Sequence, residues 1–192
     1  MSSPSNITKA KLDDVPILAG VELAFIGIGS NLAIGQDEPT EVLQRAFAAL
    51  TLLSDYPMLV SSLWESAPVD CPPGSPRFIN AVAALRPRHN SPRQLLSSLQ
   101  KIEDEYGRKR GAVRNAPRTL DLDILSFGKV LMQEAELTLP HPRMHQRAFV
   151  LTPLLEIAPN FIVPGMNAAA SQLLREIVDQ GALTPINFTK SL

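Results

Sequence analysis

Predicted elements in the order β-α-β-β-α-β, followed by further helix, point to an α+β fold: one mainly antiparallel sheet with helices packed on it. Three observations carry this. Two stretches, residues 39–53 and 91–107, place apolar side chains at helical spacing. Short apolar runs of strand length stand around them. The runs at 58–65 and 78–85 have no helix between them, whereas a doubly wound parallel sheet needs one at each crossover.

Residues 1–20 are polar, carry Pro4 and Pro16, and read as a flexible N-terminal arm. Residues 21–192 then form a single domain, which suits the length. The run ELAFIGI at 22–28 is a buried strand that leaves through Gly29-Ser30-Asn31 into a turn. Residues 39–53 align Val42, Leu43, Ala46, Phe47, Leu50 and Leu53 on one helix face. Seven of the 17 prolines fall between Pro57 and Pro92, so 66–76 is a stiff, irregular loop joining the strands at 58–65 and 78–85. Ser91 is an N-cap, Pro92 takes the first helical position and Gly107 stops the helix whose stripe is Leu95, Leu99, Ile102 and Tyr106. In 119–127, Leu120, Leu122 and Ile124 face one way, Asp121 and Asp123 the other. A helix at 146–158, interrupted at Pro153, and another at 168–179 complete the chain.

Composition excludes several classes. Eighteen basic against 19 acidic residues give a net charge of −1, which argues against a duplex-DNA binder. Cys71 is the sole cysteine, so the chain can form neither an internal disulfide nor a Cys-based zinc cage. That usage fits a reducing cytoplasm. The N-terminal residues lack the pattern of a secretory leader, and no stretch approaches ~18 apolar residues, so no membrane partner is expected.

The chemistry concentrates at Asp121-Leu122-Asp123. Two carboxylates at i and i+2 of a strand point the same way, with Cα atoms about 6.5–7 Å apart. That spacing suits hard cations such as Mg²⁺, including a metal pair for phosphoryl transfer. The alternative is the wet face of a half-buried strand. Just upstream, Arg108, Lys109, Arg110, Arg114 and Arg118 place five cations in eleven residues without an acid. Such a run is often a solvated face. Leading straight into paired carboxylates, it favours polyphosphate handling. Thr138, His141, Arg143 and Arg147 add further donors, although His141 between two prolines also reads as a plain loop histidine. Gly27-Ile28-Gly29-Ser30 matches no phosphate-loop pattern and reads as a tight strand exit.

Phe25-Ile26-Gly27-Ile28-Gly29-Ser30-Asn31-Leu32, then Phe78 and Asn80, then Pro117-Arg118-Thr119-Leu120-Asp121-Leu122-Asp123 and Pro140-His141-Pro142-Arg143-Met144 resemble, in order, the 6-hydroxymethyl-7,8-dihydropterin pyrophosphokinases of folate biosynthesis. The resemblance implies a ferredoxin-like fold and transfer of the β,γ-pyrophosphoryl group of ATP to the pterin hydroxymethyl oxygen, releasing AMP. It implies that Asp121 and Asp123 hold two Mg²⁺ ions. Phe78 and Phe149 would sandwich the pterin, Asn80 would read its amide-like edge, and Ser66, Ala67 and Val69 would complete that pocket. Gln100, Glu103, Arg110, Arg118, Ile124, Thr138, His141 and Arg147 would serve ATP, and Arg108 would close over the phosphates. The family expectation is a monomer. Asn115-Ala116, where some members carry tryptophan, removes an aromatic lid, and Gly111 replaces a lysine found in others.

Two rivals use the same residues. Paired aspartates on an antiparallel sheet also suit a metal-dependent nucleotidyl transferase or nuclease. A non-catalytic pterin or nucleotide sensor would need neither Asp121 nor Mg²⁺. The near-zero net charge and the pair Phe78/Phe149 favour a small substrate and no nucleic acid.

Overall fold

The computed structural model describes residues 7–108, 117–178 and 180–186. The strands are β1 (Ile7–Thr8), β2 (Ala24–Ser30), β3 (Met58–Val60), β4 (Leu63–Ser66), β5 (Phe78–Leu85), β6 (Asp121–Phe127), β7 (Met132–Gln133), β8 (Thr138–Leu139), β9 (Ile162–Val163), β10 (Ala168–Ala169) and β11 (Thr184–Ile186). The helices are α1 (Pro39–Thr51), α2 (Pro92–Glu105), α3 (Ala148–Ile157) and α4 (Ala170–Glu176). The main sheet runs β1-β3-β5-β2-β6, with β4 also on β5 and β11 on β4. β2 is antiparallel to both β5 and β6; the expected βαββαβ unit is therefore present in ferredoxin-like order.

Alternation along the strands divides the interior into two layers. Ala24, Ile26 and Ile28 of β2 pack under α1 and α2, against Val42, Leu43, Leu50, Leu99 and Ile102. Phe25 of β2, Val82 and Ala84 of β5 and Leu125 of β6 face the other way, onto Val150, Leu151, Leu154 and Ile157 of α3. Burial of such side chains, about 1.5–3 kcal/mol each, fixes which face every strand residue takes. Both helices start as their sequences dictate. Glu38 and Glu41 form a reciprocal capping box before α1, and Ser91 Oγ accepts from the Gln94 N–H in α2.

Four expectations need correction. The segment expected to be a flexible arm packs from Ile7 onward: Ile7 and Thr8 pair in parallel with Met58 and Leu59, and Leu18 is buried among Leu23, Leu12 and Val15. Its apolar residues, thinly spread among polar ones, outweigh the composition. The strand at 58–65 splits into β3 and β4, because Ser61 exchanges backbone and side-chain hydrogen bonds with Val82. Pro153 does not interrupt α3, whose apolar face is buried on the sheet and outweighs the bond lost at proline. The last helix begins two residues late, since Ala168 and Ala169 pair with Val163 and Ile162 instead. Among the described residues, no helix is long and apolar enough to cross a membrane.

Candidate active site

β6 is the last strand on its side of the sheet, and its alternation aims Asp121 and Asp123 away from α2 while burying Leu122 and Ile124. A bulge then inserts Leu125, so that Phe25 pairs with Ser126 and Phe127 crosses to the face under α1 and α2. The register across the sheet sets the site. Asp121 pairs with Gly29, which pairs with Asn80; Asp123 pairs with Gly27. Two strand spacings of about 4.8 Å therefore separate the row ends, Asn80 and Asp121, with a bare glycine between them.

The cleft over this row is lined by Ser66, Ala67, Val69, Phe78, Asn80, Arg108, Arg118, Asp121, Asp123, His141, Arg147 and Phe149, all anticipated from sequence. Asn80 Nδ2 donates to Ser66 Oγ at 2.9 Å, which fixes its amide at the slot between Phe78 and the α3 wall. The Arg147 guanidinium lies 5.5 Å from the centre of the Phe149 ring.

Both oxygens of Asp121 are engaged. Arg108 reaches Oδ1 at 2.8 Å and Arg118 reaches Oδ2 at 2.8 Å. Arg118 is held in turn by its backbone N–H, which donates to Asn31 Oδ1 at 2.7 Å, while Asn31 Nδ2 donates to the Pro76 carbonyl at 3.3 Å. One buried asparagine thus ties the end of β2 to the roots of two loops.

Asp123 keeps 45% of its side chain accessible, yet it sits in the cleft with Asp121 beside it. Desolvation first, then repulsion from Asp121, pushes its carboxyl up to about 7. His141 Nε2 lies 3.9 Å from Asp123 Oδ2, and its Nδ1 accepts the Arg143 N–H at 3.1 Å. The neutral imidazole therefore carries its proton on Nε2, toward Asp123. Burial, then Arg147 and Arg143, pushes His141 down to about 4. Burial and Arg143 also lower Arg147 from its ordinary value, so this wall of the cleft favours an incoming anion.

Several residues expected to serve ATP are not among those that line this cleft. Ile124 is buried under the helices, so its side chain cannot face the cleft. Gln100 and Thr138 do not line it. Glu103, 3% exposed, sits behind it: its carboxylate accepts the Leu122 N–H at 2.8 Å and pairs with Arg108. Arg110, Gly111 and Asn115-Ala116 fall outside the described residues. Arg143, read from sequence as a further donor, also lines the cleft, as do Cys71, Gly27 and Gly29, to which sequence reasoning gave no site role.

The glycines are instructive because both lie inside β2 and not in a turn. A Cβ on Gly27 would come within 3.2 Å of Leu125 Cδ2, so packing alone explains that glycine. A Cβ on Gly29 meets nothing closer than 3.7 Å, the nearest groups being Asn80 Oδ1, Phe78 and Asp121 Cβ. Protein packing does not require this glycine; the space above it does. Gly29→Ala should keep the fold, with a stability gain of up to about 1 kcal/mol because alanine is the better strand residue. It should lower kcat/KM at least tenfold by filling the floor between slot and carboxylates. Thermal unfolding and steady-state kinetics on one preparation check both halves.

Paired carboxylates crowded by arginines and set beside a planar aromatic slot are equipment of the phosphoryl-group transferases. Residues 25–159 match the family model of 7,8-dihydro-6-hydroxymethylpterin-pyrophosphokinase (HPPK), and the chain belongs to that family. The 2-amino-4-hydroxy-6-hydroxymethyldihydropteridine pyrophosphokinase of Haemophilus influenzae is 42% identical over 160 residues, 83% of this chain and 92% of the relative. The Pseudomonas aeruginosa enzyme of that name is 44% identical over 145 residues, 75% of this chain and 85% of its own. The crystal structure of Plasmodium falciparum HPPK-DHPS with pteroate shares the fold at a TM-score of 0.62 and 13% identity. That match covers 81% of this chain and 44% of the Plasmodium chain. Family membership sets the reaction: pyrophosphoryl transfer to hydroxymethyldihydropterin, in folate biosynthesis.

Proposed function

We propose that the cleft takes the β,γ-pyrophosphoryl group from ATP, with two Mg²⁺ ions, and passes it to the hydroxymethyl oxygen of 6-hydroxymethyl-7,8-dihydropterin, releasing AMP. The observation that carries this reading is the single row Asn80-Gly29-Asp121, which puts the aromatic slot and the carboxylate pair on one floor. Phe78 and Phe149 sandwich the flat ring, Asn80 offers both a donor and an acceptor to its amide-like edge, and backbone groups at Ser66, Ala67 and Val69 close the pocket.

The donor set fits magnesium. Asp121 and Asp123 supply hard oxygen ligands, and among the described residues no group of three metal-binding side chains forms a closed cage. A cation held by one or two carboxylates and completed by water and phosphate oxygens is the usual arrangement for Mg²⁺. When bound, Mg²⁺ would offset phosphate charge and ease loss of the hydroxymethyl proton. Arg108 and Arg118 grip a carboxylate here, and their forked donors suit phosphate oxygens equally. Arg147, with His141 donating from Nε2, lines the anion side of the path. The hydroxymethyl oxygen attacks the β-phosphorus in line, and AMP leaves from the opposite face. Asp123 serves as ligand before base, because a metal-bound carboxylate is a weak base.

The test is titration of α,β-methylene-ATP, whose α–β bridge cannot be cleaved, with and without Mg²⁺ between pH 8 and 6. Asp123 must lose its proton to bind the metal, so the Mg²⁺-dependent affinity should fall toward tenfold per unit once pH drops below about 7. Asp123→Asn should reduce that slope to the part owed to protonation of the nucleotide's terminal phosphate. Affinity that ignores Mg²⁺ throughout would defeat the assignment.

A further inference from the structure

Beyond residues 25–159, which match the family model, the C-terminal segment touches both walls of the aromatic slot. At one end, Gln180 Oε1 accepts the Ala148 N–H at 2.8 Å, and its Nε2 donates to the Gln146 carbonyl. Ala148 is the first residue of α3, and Arg147 before it provides no side-chain cap. The helix is therefore capped from 32 residues away. Arg147 and Phe149, the two neighbours of Ala148, both line the cleft. At the other end, Thr184, Pro185 and Ile186 pair antiparallel with Glu65, Trp64 and Leu63, immediately before Ser66 and Ala67. Between these anchors, Gly181 at φ +75° runs beside Ala67, so close that a Cβ there would meet the Ala67 Cβ at 3.7 Å.

We propose that residues 180–186 form a strap that sets the width of the pterin slot, with Gln180 as its positioning residue. The proposal rests on the pterin reading above. One wall carries Phe149 on the first turn of α3; the other carries Ser66 and Ala67 at the end of β4. The strap is covalently continuous between them, so the two walls cannot separate without breaking the Gln180 cap or the β4–β11 pairing. A side-chain cap contributes about 1 kcal/mol. Its loss should let the first turn of α3 fray and spread the population of Phe149 ring positions, costing pterin affinity roughly fivefold.

The experiment measures dihydropterin affinity by calorimetry at saturating α,β-methylene-ATP and Mg²⁺, nucleotide affinity without pterin, and amide exchange at Ala148 and Phe149. Gln180→Ala should raise the pterin Kd roughly fivefold, leave the nucleotide Kd within about twofold and accelerate exchange at both amides. Gln180→Glu keeps the acceptor for the Ala148 N–H and should restore pterin affinity to within about twofold. An unchanged pterin Kd in Gln180→Ala overturns the proposal, as does equal weakening of both ligands. If the wild-type protein does not bind the dihydropterin, the pterin reading falls instead. Exchange then decides the strap alone: unchanged rates at Ala148 and Phe149 refute it, faster rates support it.

Discussion

Asp121→Ala is expected to lower turnover by about 10²–10³-fold, or ~3–4 kcal/mol of transition-state stabilisation, while the protein stays folded. The loss is large because one side chain serves two purposes. It is half of the only carboxylate pair in the cleft among the described residues, and it orders Arg108 and Arg118 through both of its oxygens. Effects on stability oppose one another. Removing Asp121 leaves two partly buried guanidinium groups without that partner, but it also removes the like charge beside Asp123. Tm should therefore move by only a few degrees. Asp123 itself should report the change: without the repulsion from Asp121, its carboxyl should titrate below the value of about 7 that it has now. Kinetics, thermal unfolding and a carboxyl-edited NMR titration together check all three statements. Near-normal turnover in a folded Asp121→Ala protein contradicts the site.

Glu103→Ala should cost about 2–3 kcal/mol of stability, although the residue lies outside the cleft lining. Its carboxylate is almost fully buried and satisfies the Leu122 N–H on the outer edge of β6, a donor with no further strand of the main sheet to receive it. It also anchors Arg108, both directly and through the Arg108 N–H, which donates to the Glu103 carbonyl at 3.0 Å. Deleting the side chain strands a buried donor between the two aspartates and releases Arg108 from its second carboxylate. Tm should fall by roughly 4–10 °C, with turnover down at least tenfold through the loosened register of Asp121 and Asp123. Glu103→Gln retains an oxygen for Leu122 but no charge for Arg108. It should therefore recover more of the stability than of the turnover.

Much of this site was legible in the sequence because strand alternation is a strong rule. Once 119–127 reads as a strand with Leu120, Leu122 and Ile124 inside, Asp121 and Asp123 must share the other face, and they do. The resemblance brought Phe78, Asn80 and Phe149 together across 71 positions of sequence, and the fold places all three on one cleft. What escaped depends on pairing between distant segments. Gly29 read as a strand exit because its meaning appears only when Asn80 and Asp121 flank it in register. The resemblance put Glu103 on the nucleotide side; that it satisfies an edge amide of a strand 19 residues away had no local signal. Polar composition hid the packing of Leu12, Val15 and Leu18, three apolar residues spaced among charges. Nothing local marks Gln180 as the cap of α3.

The account turns on which phosphorus is attacked. Incubating the protein with ATP, Mg²⁺ and 6-hydroxymethyl-7,8-dihydropterin and separating the nucleotides by chromatography reads this directly. One AMP formed for each pterin consumed is the predicted result. ADP in that ratio would place the attack at the γ-phosphorus and contradict the account.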